Sequence, residues 1–300
     1  MSGVRPASSD EAYTSTQLPR LIITLLLCAA AAHSQTASAE ATTVSLPPIS
    51  QEALWQGAGV IVNDATAFPG TRAAMLAARQ FRWVALKVDD GLKAPQANLD
   101  LLQQGWAAAF RSQGIYVCGW GVGQTQPGEE ANVAADIVDR YKLDCYITDV
   151  EAPYLGGAYG GDPGRSQVFA TAFREREPEL PAAFTTLGAA AAPWVLPLDY
   201  KSWADENWDL LPEAYMSITS DYCPKCTVDH AERAGFPTDK VHPMIGIGWT
   251  QGQRRYGGDE YAELLEDAGT TGFSVFLGET TSDTDFAALG QAIADDGIAR

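Results

Sequence analysis

Short apolar runs and longer amphipathic stretches alternate along the chain from residue 59 onward. The short runs are rich in β-branched and other apolar residues, which is typical of buried strands. In the longer stretches apolar residues return every three or four positions, which is typical of one face of a helix. The pattern predicts strands at Gly59–Asn63, Trp83–Val88, Ile115–Trp120, Cys145–Glu151, Ala183–Thr186, Ala214–Thr219, Met244–Trp249 and Phe273–Leu277. It predicts helices at Thr71–Gln80, Asn98–Gln113, Gly128–Tyr141, Arg165–Arg176, Ser202–Leu211, Thr227–Ala234, Asp259–Asp267 and Asp285–Asp295.

Regular alternation of strand and helix predicts a parallel sheet with helical crossovers. Eight such units in about 260 residues match the size of a (β/α)8 barrel. The alternative is a doubly wound open sheet, which usually carries a glycine-rich phosphate-binding turn after its first strand, and residues 62–68 contain no such turn. The predicted fold class is therefore α/β, a single-domain, eight-stranded parallel TIM barrel over residues 58–300.

The first residues of the chain have the parts of a secretory signal. Arg20 precedes an apolar run over Leu21–Ala32, and the A-x-A site Ala37–Ala39 follows it. A run of this length is too short to span a bilayer, so we expect no stable membrane insertion. The sequence predicts a signal peptide over residues 1–39, a tether over 40–57, and a secreted protein, extracellular or periplasmic.

Composition and charge exclude several classes of protein. Hydrophobic residues make up 46% of the chain, which is too many for a disordered protein. The chain has 38 acidic residues against 20 Lys and Arg, a net charge of -18. Because such a surface repels phosphate backbones, we expect no nucleic-acid partner. We expect a monomer without a cofactor, whose partner is a polysaccharide or cell-wall glycan.

Polar and aromatic residues gather where the predicted strands end. In a (β/α)8 barrel the chemistry takes place at these carboxyl ends. Acids and aromatic rings together are typical of a sugar-binding cleft, since the rings stack on sugar faces and the acids transfer protons. The residues expected to contact substrate are Asn63, Asp64, Lys87, Asp89, Asp90, Trp120, Tyr154, Asp221, Tyr222, Trp249, Gln251 and Glu279.

Asp149 and Glu151 are the candidate catalytic pair. They stand two residues apart at the end of the fourth predicted strand, so their side chains share a face and their backbones lie ~6.6 Å apart. Two such carboxylates repel each other, which raises the proton affinity of one of them. The spacing fits both retaining and inverting glycosidases. The alternative is structural, with the two acids capping the next helix or lying in a solvated loop.

Three segments together resemble the family 25 glycoside hydrolases, the lysozyme-type muramidases. They are Phe81–Gly91, Trp106–Trp120 and Asp149–Glu151, and the likeness covers about residues 58–155. The resemblance implies an exported barrel that cuts peptidoglycan, with Glu151 as general acid and Asp149 as the second catalytic carboxylate. Asn63 or Asp64 would then correspond to the acid that the family has on its first strand. The aromatic-Gln-Tyr signature of that family's last strand is absent here, where the sequence is Phe276–Thr280.

Two cysteines follow the sixth predicted strand. Cys223 and Cys226 have only His230 nearby as a further zinc ligand, because His242 precedes the seventh strand at the other end of the barrel. We therefore expect a disulfide in this loop and no metal. For Cys118 and Cys145, in neighbouring strands, buried thiols and a second disulfide both remain open.

These observations lead to two functional hypotheses. The first is a secreted glycoside hydrolase that cleaves a polysaccharide, with peptidoglycan as one candidate, by carboxylate acid/base catalysis. The alternative is a non-catalytic barrel that binds or anchors to a cell-surface glycan. A thiol–disulfide exchange protein is a third hypothesis, which rests on Cys223 and Cys226 alone.

Overall fold

A closed barrel of eight parallel strands forms the centre of the protein. The computed structural model describes residues 44–187, 198–218, 220–247 and 254–298. Each strand pairs with the next along the chain, and the last strand pairs with the first. The strands are β1 (Gly59–Val62), β2 (Trp83–Asp90), β3 (Tyr116–Val122), β4 (Cys145–Asp149), β5 (Ala182–Leu187), β6 (Asp209–Ala214), β7 (Met244–Gly246) and β8 (Ser274–Phe276). The predicted (β/α)8 barrel is confirmed.

Helices α2 to α9 lie between the strands along the chain, whereas α1 precedes β1 and α10 follows β8. They are α1 (Gln51–Trp55), α2 (Ala73–Ala78), α3 (Gln96–Gln103), α4 (Trp106–Arg111), α5 (Pro127–Tyr141), α6 (Arg165–Arg176), α7 (Tyr200–Asp205), α8 (Pro224–Arg233), α9 (Gly258–Ala268) and α10 (Asp283–Asp296). None of the helices that the structure describes is long and apolar enough to cross a membrane.

Apolar side chains fill two layers because neighbouring residues of a strand point to opposite faces of the sheet. In β1, Val60 and Val62 pack outward against the helices, whereas Ile61 packs inside the barrel. The outer layer is rich in aromatic rings, for example Phe184 stacked on Trp203 with ring centroids 4.8 Å apart. Burial on both faces explains why the strands appear in the sequence as nearly continuous apolar runs.

Helix α1 closes the amino-terminal end of the barrel, although it belongs to the segment expected to be a tether. Leu54 and Trp55 are buried within the inner layer, and Trp55 meets the Trp83 ring edge to face at 5.1 Å. The Gln51 side chain donates to the Ala182 carbonyl at 2.7 Å and to the Asp209 carboxylate at 2.8 Å. The ordered barrel therefore includes residues before 58.

Two predicted helices differ from the observed ones. The single helix expected over 98–113 is broken into α3 and α4 at Gly105, whose φ of 103° requires a residue without a β-carbon. The helix expected over 202–211 ends at Asp205, and Asn207 follows with a φ of 57°. A left-handed residue commonly terminates a helix, so the chain is free to enter a strand two residues later.

The sixth strand lies five residues earlier than predicted, at Asp209–Ala214 instead of Ala214–Thr219. Pro212 lies in the middle of this strand and has no backbone N–H to donate. The strand tolerates it because its pairing with β7 is interrupted there, with an isolated bridge at Leu210 and regular pairing only from Glu213. The shift moves Glu213 from a predicted connection into the barrel wall.

Both cysteine pairs form disulfide bonds. Cys118 and Cys145 are direct partners in the register of β3 and β4, and their disulfide lies within the inner layer. Cys223 is bonded to Cys226 at the start of α8. At the opposite end of the barrel, His242 Nε2 lies 2.9 Å from the Asp209 carboxylate, and both residues are buried.

Candidate active site

Three carboxylates meet at the carboxyl end of the barrel strands. One carboxylate oxygen from each of Asp149, Glu151 and Glu213 lies within 4.8 Å of the other two. These residues line a cavity of about 120 Å³. Their neighbours in the wall are apolar or aromatic residues and one threonine: Ile61, Trp120, Ile147, Thr185, Tyr215, Met244 and Phe276.

Strand β4 positions the two carboxylates that the sequence singled out. Asp149 is its last residue, and the backbone stays paired with β5 for one more residue, because the Val150 N–H donates to the Thr185 carbonyl at 2.9 Å. Asp149 and Glu151 therefore both reach the cavity, with Ile147 below them. Glu151 is the more exposed of the two, which places it toward the barrel mouth.

Glu213 is the carboxylate that sequence reasoning missed. It lies in β6 between Leu211 and Tyr215, and all three side chains point into the barrel. Only 6% of Glu213 is exposed. The pattern of every second residue pointing inward, at Leu211, Glu213 and Tyr215, is typical of a strand. Because of Pro212, the sequence instead predicts a strand that begins at Ala214, so Glu213 falls outside it.

Burial shapes the protonation of this cluster. The pKa of Asp149 is raised well above its ordinary value of 3.8, first by burial and then by the charge of Glu151, and Lys87 opposes the rise. The pKa of Glu213 is also raised well above its ordinary value, by burial and by the charges of Asp149 and Glu151. The cavity therefore favours shared protons over three full negative charges.

Two polar atoms of the cavity lack partners. Asp149 Oδ1 and Thr185 Oγ1 are buried and accept or donate no hydrogen bond among the described residues. Only 4% of Thr185 is exposed. Since buried polar groups usually have a partner, these two atoms mark a place where a ligand or water is expected.

Aromatic rings form one side of the cavity. Tyr215 and Phe276 stack with their centroids 5.4 Å apart, and Trp120 meets Phe276 at 6.5 Å with an interplanar angle of 78°. The Trp120 indole N–H donates to the Val62 carbonyl at 2.8 Å, which fixes the ring. Fixed rings beside carboxylates provide both a stacking surface and acid/base groups.

Lys87 is the nearest cation to the cluster among the described residues. Its ammonium lies 3.3 Å from the Asp90 carboxylate and 5.1 Å from the centre of the Trp120 ring. Gln124 donates to the other oxygen of Asp90 at 3.0 Å. Lys87 and Asp90, both predicted to contact substrate, thus lie at the rim beside the aromatic wall.

Asp89 does not reach the cavity, because the register between β2 and β3 shifts between Lys87 and Asp89. This bulge turns Asp89 outward, where it accepts a 2.9 Å hydrogen bond from the Tyr146 hydroxyl. A β-carbon at Gly121 would lie 1.8 Å from the Asp89 carboxylate, so only glycine fits opposite it. Burial raises the pKa of Asp89 to about 7.

Asn63 and Glu279 form a separate polar contact between β1 and β8. The Asn63 N–H donates to Glu279 Oε1 at 3.0 Å, and burial raises the pKa of Glu279. Asn98 in α3, expected to begin a helix, instead donates to the Asn63 and Lys87 carbonyls at 2.8 and 2.9 Å. It holds the ends of β1 and β2 together.

Four other predicted substrate contacts fall outside the cavity. Tyr154 is buried behind it and donates to Glu130 at 3.4 Å. Asp64 is exposed and accepts from Thr66 in a tight turn, which lowers its pKa. Asp221 and Tyr222 belong to the short 310 helix after β6, and Tyr222 packs on the inner layer. The predicted contacts Trp249 and Gln251 lie outside the described residues.

The three carboxylates are also the group that could hold a metal ion, among the residues that the structure describes. Their oxygen-only set would suit a hard cation such as Mg²⁺ or Ca²⁺. Mg²⁺ takes six ligands and Ca²⁺ six to eight, mostly oxygens, whereas most of the cavity wall around the three carboxylates is apolar or aromatic.

Comparisons with known proteins identify the fold. No protein-family model matches the sequence, and no curated protein matches it. Solved structures do match. A GH18 chitinase from Pseudoalteromonas aurantia superposes with a TM-score of 0.59 at 14% identity, over 79% of this chain and 99% of the chitinase.

Two further matching structures are a second GH18 chitinase and a spore cortex-lytic enzyme. A GH18 chitinase from Cycas revoluta in complex with (GlcNAc)3 gives a TM-score of 0.55 at 11% identity, over 79% of this chain and 98% of that protein. The Bacillus cereus spore cortex-lytic enzyme SleL gives 0.54 at 10% identity, over 79% and 74%. At these identities the likeness establishes the fold, a TIM barrel of the kind found in glycoside hydrolases, and not membership of family 25.

Proposed function

We propose that this chain is an exported glycoside hydrolase that cleaves a hexosamine-containing polysaccharide, with cell-wall peptidoglycan as a candidate. The observation that carries the proposal is the meeting of Asp149, Glu151 and Glu213 in an aromatic-walled cavity at the carboxyl end of the barrel. Paired carboxylates beside stacking rings are what hydrolysis of a glycosidic bond requires. The chitinases and the cortex-lytic enzyme with the same fold support the substrate class.

In this proposal Glu151 is the general acid. It is the most exposed carboxylate of the cluster, so its proton can reach the oxygen of a bond lying across the barrel mouth. After the leaving group departs, the same carboxylate accepts a proton from the attacking water.

Asp149 is the second catalytic carboxylate. It lies deeper than Glu151, and once its proton has passed to another carboxylate of the cluster it can attack the anomeric carbon and form the covalent intermediate that water then hydrolyses. The cluster oxygens lie at most 4.8 Å apart, close to the ~5–5.5 Å typical of retaining enzymes and below the ~6.5–9.5 Å typical of inverting ones. We therefore propose hydrolysis with retention of anomeric configuration.

Charge-removing substitutions test this function. We expect Glu151→Gln and Asp149→Asn each to lower the hydrolysis of peptidoglycan or chitin oligosaccharides by at least ~100-fold, because each removes a group that acts in the transition state. Glu263→Gln, at an exposed position of α9, is the matched control and should keep full activity. Product release followed by mass spectrometry gives the rates.

Two outcomes would contradict the proposal in different ways. Hydrolysis that survives both substitutions would remove the catalytic assignment of Asp149 and Glu151. A purified protein that binds these glycans but cleaves none would favour a non-catalytic glycan-binding barrel. Circular dichroism of each variant separates loss of activity from loss of the fold.

A further inference from the structure

Glu213 has no assigned part in the proposed hydrolysis. That chemistry uses two carboxylates, and Asp149 and Glu151 supply them. A third buried carboxylate is costly, because burial and two neighbouring negative charges both oppose its ionisation. Lys87 pairs with Asp90 at the rim, and its charge acts on Asp149 but is not among the causes of the Glu213 shift. Glu213 therefore holds a proton in the empty cavity, and a cation that enters beside it would favour its ionised form.

The three oxygens lie close enough together to form a tripod around an ammonium group. An ammonium nitrogen has three N–H donors in tetrahedral directions, and charged N–H···O bonds measure about 2.8 Å. Three acceptors placed that way lie about 4.6 Å from one another. The oxygens of Asp149, Glu151 and Glu213 all lie within 4.8 Å of one another. Each carboxylate keeps its second oxygen, so Glu151 can carry its proton there while its first oxygen accepts from the ammonium.

Two further observations indicate that a ligand enters here. Thr185 Oγ1 is buried in the cavity wall without a hydrogen-bond partner among the described residues, so it can accept or donate to a sugar substituent. The rings of Trp120, Tyr215 and Phe276 line the same cavity. An inorganic ion needs no aromatic wall, whereas an amine carried on a sugar ring uses both the tripod and the rings.

We propose that this cavity binds a hexosamine whose amine is free and positively charged rather than acetylated, and that Glu213 is the carboxylate that selects it. The inference rests on the proposed glycoside hydrolase function and names its substrate class, a cationic, de-N-acetylated amino-sugar polymer. Acetylation would remove the charge and two of the three N–H donors, which leaves Glu213 buried without a partner.

Monosaccharides test the binding without any bond to cleave. Isothermal titration of the wild-type protein should give at least ~10-fold tighter binding of D-glucosamine than of N-acetyl-D-glucosamine. We expect Glu213→Gln to weaken glucosamine binding at least ~10-fold and to change N-acetylglucosamine binding less than ~2-fold. The control Glu263→Gln should leave both affinities unchanged. The wild-type comparison of the two sugars needs no variant, so it holds if Glu213→Gln does not fold.

Several results would overturn the inference. Equal or tighter binding of N-acetylglucosamine would do so, and so would equally tight binding of lysine amide, which carries an amine without a sugar ring. Stoichiometric Ca²⁺ binding that Glu213→Gln abolishes would make the cluster a metal site instead.

Trisaccharides separate this inference from the proposed function. Cleavage of the N-acetylated trisaccharide without preference for the free amine would reject the amine selectivity and keep the hydrolase. Tight binding of the glucosamine trisaccharide without any cleavage would reject the hydrolase and keep the amine site.

Discussion

The unfolding free energy of this protein should depend on pH through Asp89, which the bulge in β2 places in the layer between sheet and helices. Only 4% of the residue is exposed, and its partner is the Tyr146 hydroxyl at 2.9 Å. Burial raises its pKa from the ordinary value of 3.8 to about 7. The substitution Asp89→Asn keeps the size and the acceptor oxygen for Tyr146 but removes the titration.

The direction in which the unfolding free energy changes with pH depends on which state holds the Asp89 proton. Between pH 3.8 and about 7 the folded state keeps the Asp89 proton while the unfolded state releases it, so raising the pH favours unfolding. The stabilising contribution of the protonated form is complete below pH 3.8 and is lost as the pH rises through about 7. The difference between these pKa values corresponds to about 4 kcal/mol.

Urea unfolding of the wild type and of Asp89→Asn at pH 4 and pH 8 measures this effect. We expect the two proteins to agree within about 1 kcal/mol at pH 4 and the variant to be more stable at pH 8 by up to about 4 kcal/mol. Asp239→Asn, at an exposed position, is the control and should give no such difference. Equal pH dependence in the wild type and Asp89→Asn would refute the buried, proton-holding state of this carboxyl.

Three other predictions concern stereochemistry and stability. Proton NMR of the first product should show the anomer of the substrate, because the carboxylates are closely spaced. Gln51→Ala should lower the unfolding free energy by about 3 kcal/mol in urea titrations, since it leaves one oxygen of the buried Asp209 carboxylate and the backbone N–H and carbonyl of Ala182 without their Gln51 partner. Replacing Cys118 and Cys145 by alanine should cost about 4 kcal/mol, against about 2 kcal/mol for Cys223 and Cys226, because the first disulfide closes the longer loop.

The fold could be predicted from the sequence because both faces of the strands are buried. Seven of the eight strands, all but the sixth, overlap their predicted ranges over most of their length. Hydrophobic runs and helix periodicity carry that information locally. The helix ends at Gly105 and Asn207 were not predicted, because each depends on a single residue with positive φ inside a stretch that is otherwise typical of a helix.

The residues that line the site were harder to predict from the sequence, because their side-chain directions decide whether they reach it. Consecutive residues Asp89 and Asp90 were both expected to contact substrate, yet the register shift after Lys87 sends Asp89 outward and leaves Asp90 at the rim. A bulge adds one residue to a strand without any change in its hydrophobic character. Strand-end position alone therefore identifies candidate residues but not the face on which they lie.

Glu213 could be assigned to the cluster only once the register of the barrel strands was known. Asp149 pairs in register with Thr185, and Thr185 pairs with Leu211, so these three residues lie at one level of the barrel. Glu213 is two residues beyond Leu211, just as Glu151 is two residues beyond Asp149, and therefore occupies the next inward-facing level. The stagger of the strands thus brings together acids that are 62 residues apart in the sequence. The charge of this cluster acts on any group that enters the cavity. Because Asp149 and Glu151 already have parts in the proposed hydrolysis, we assign substrate selection to Glu213.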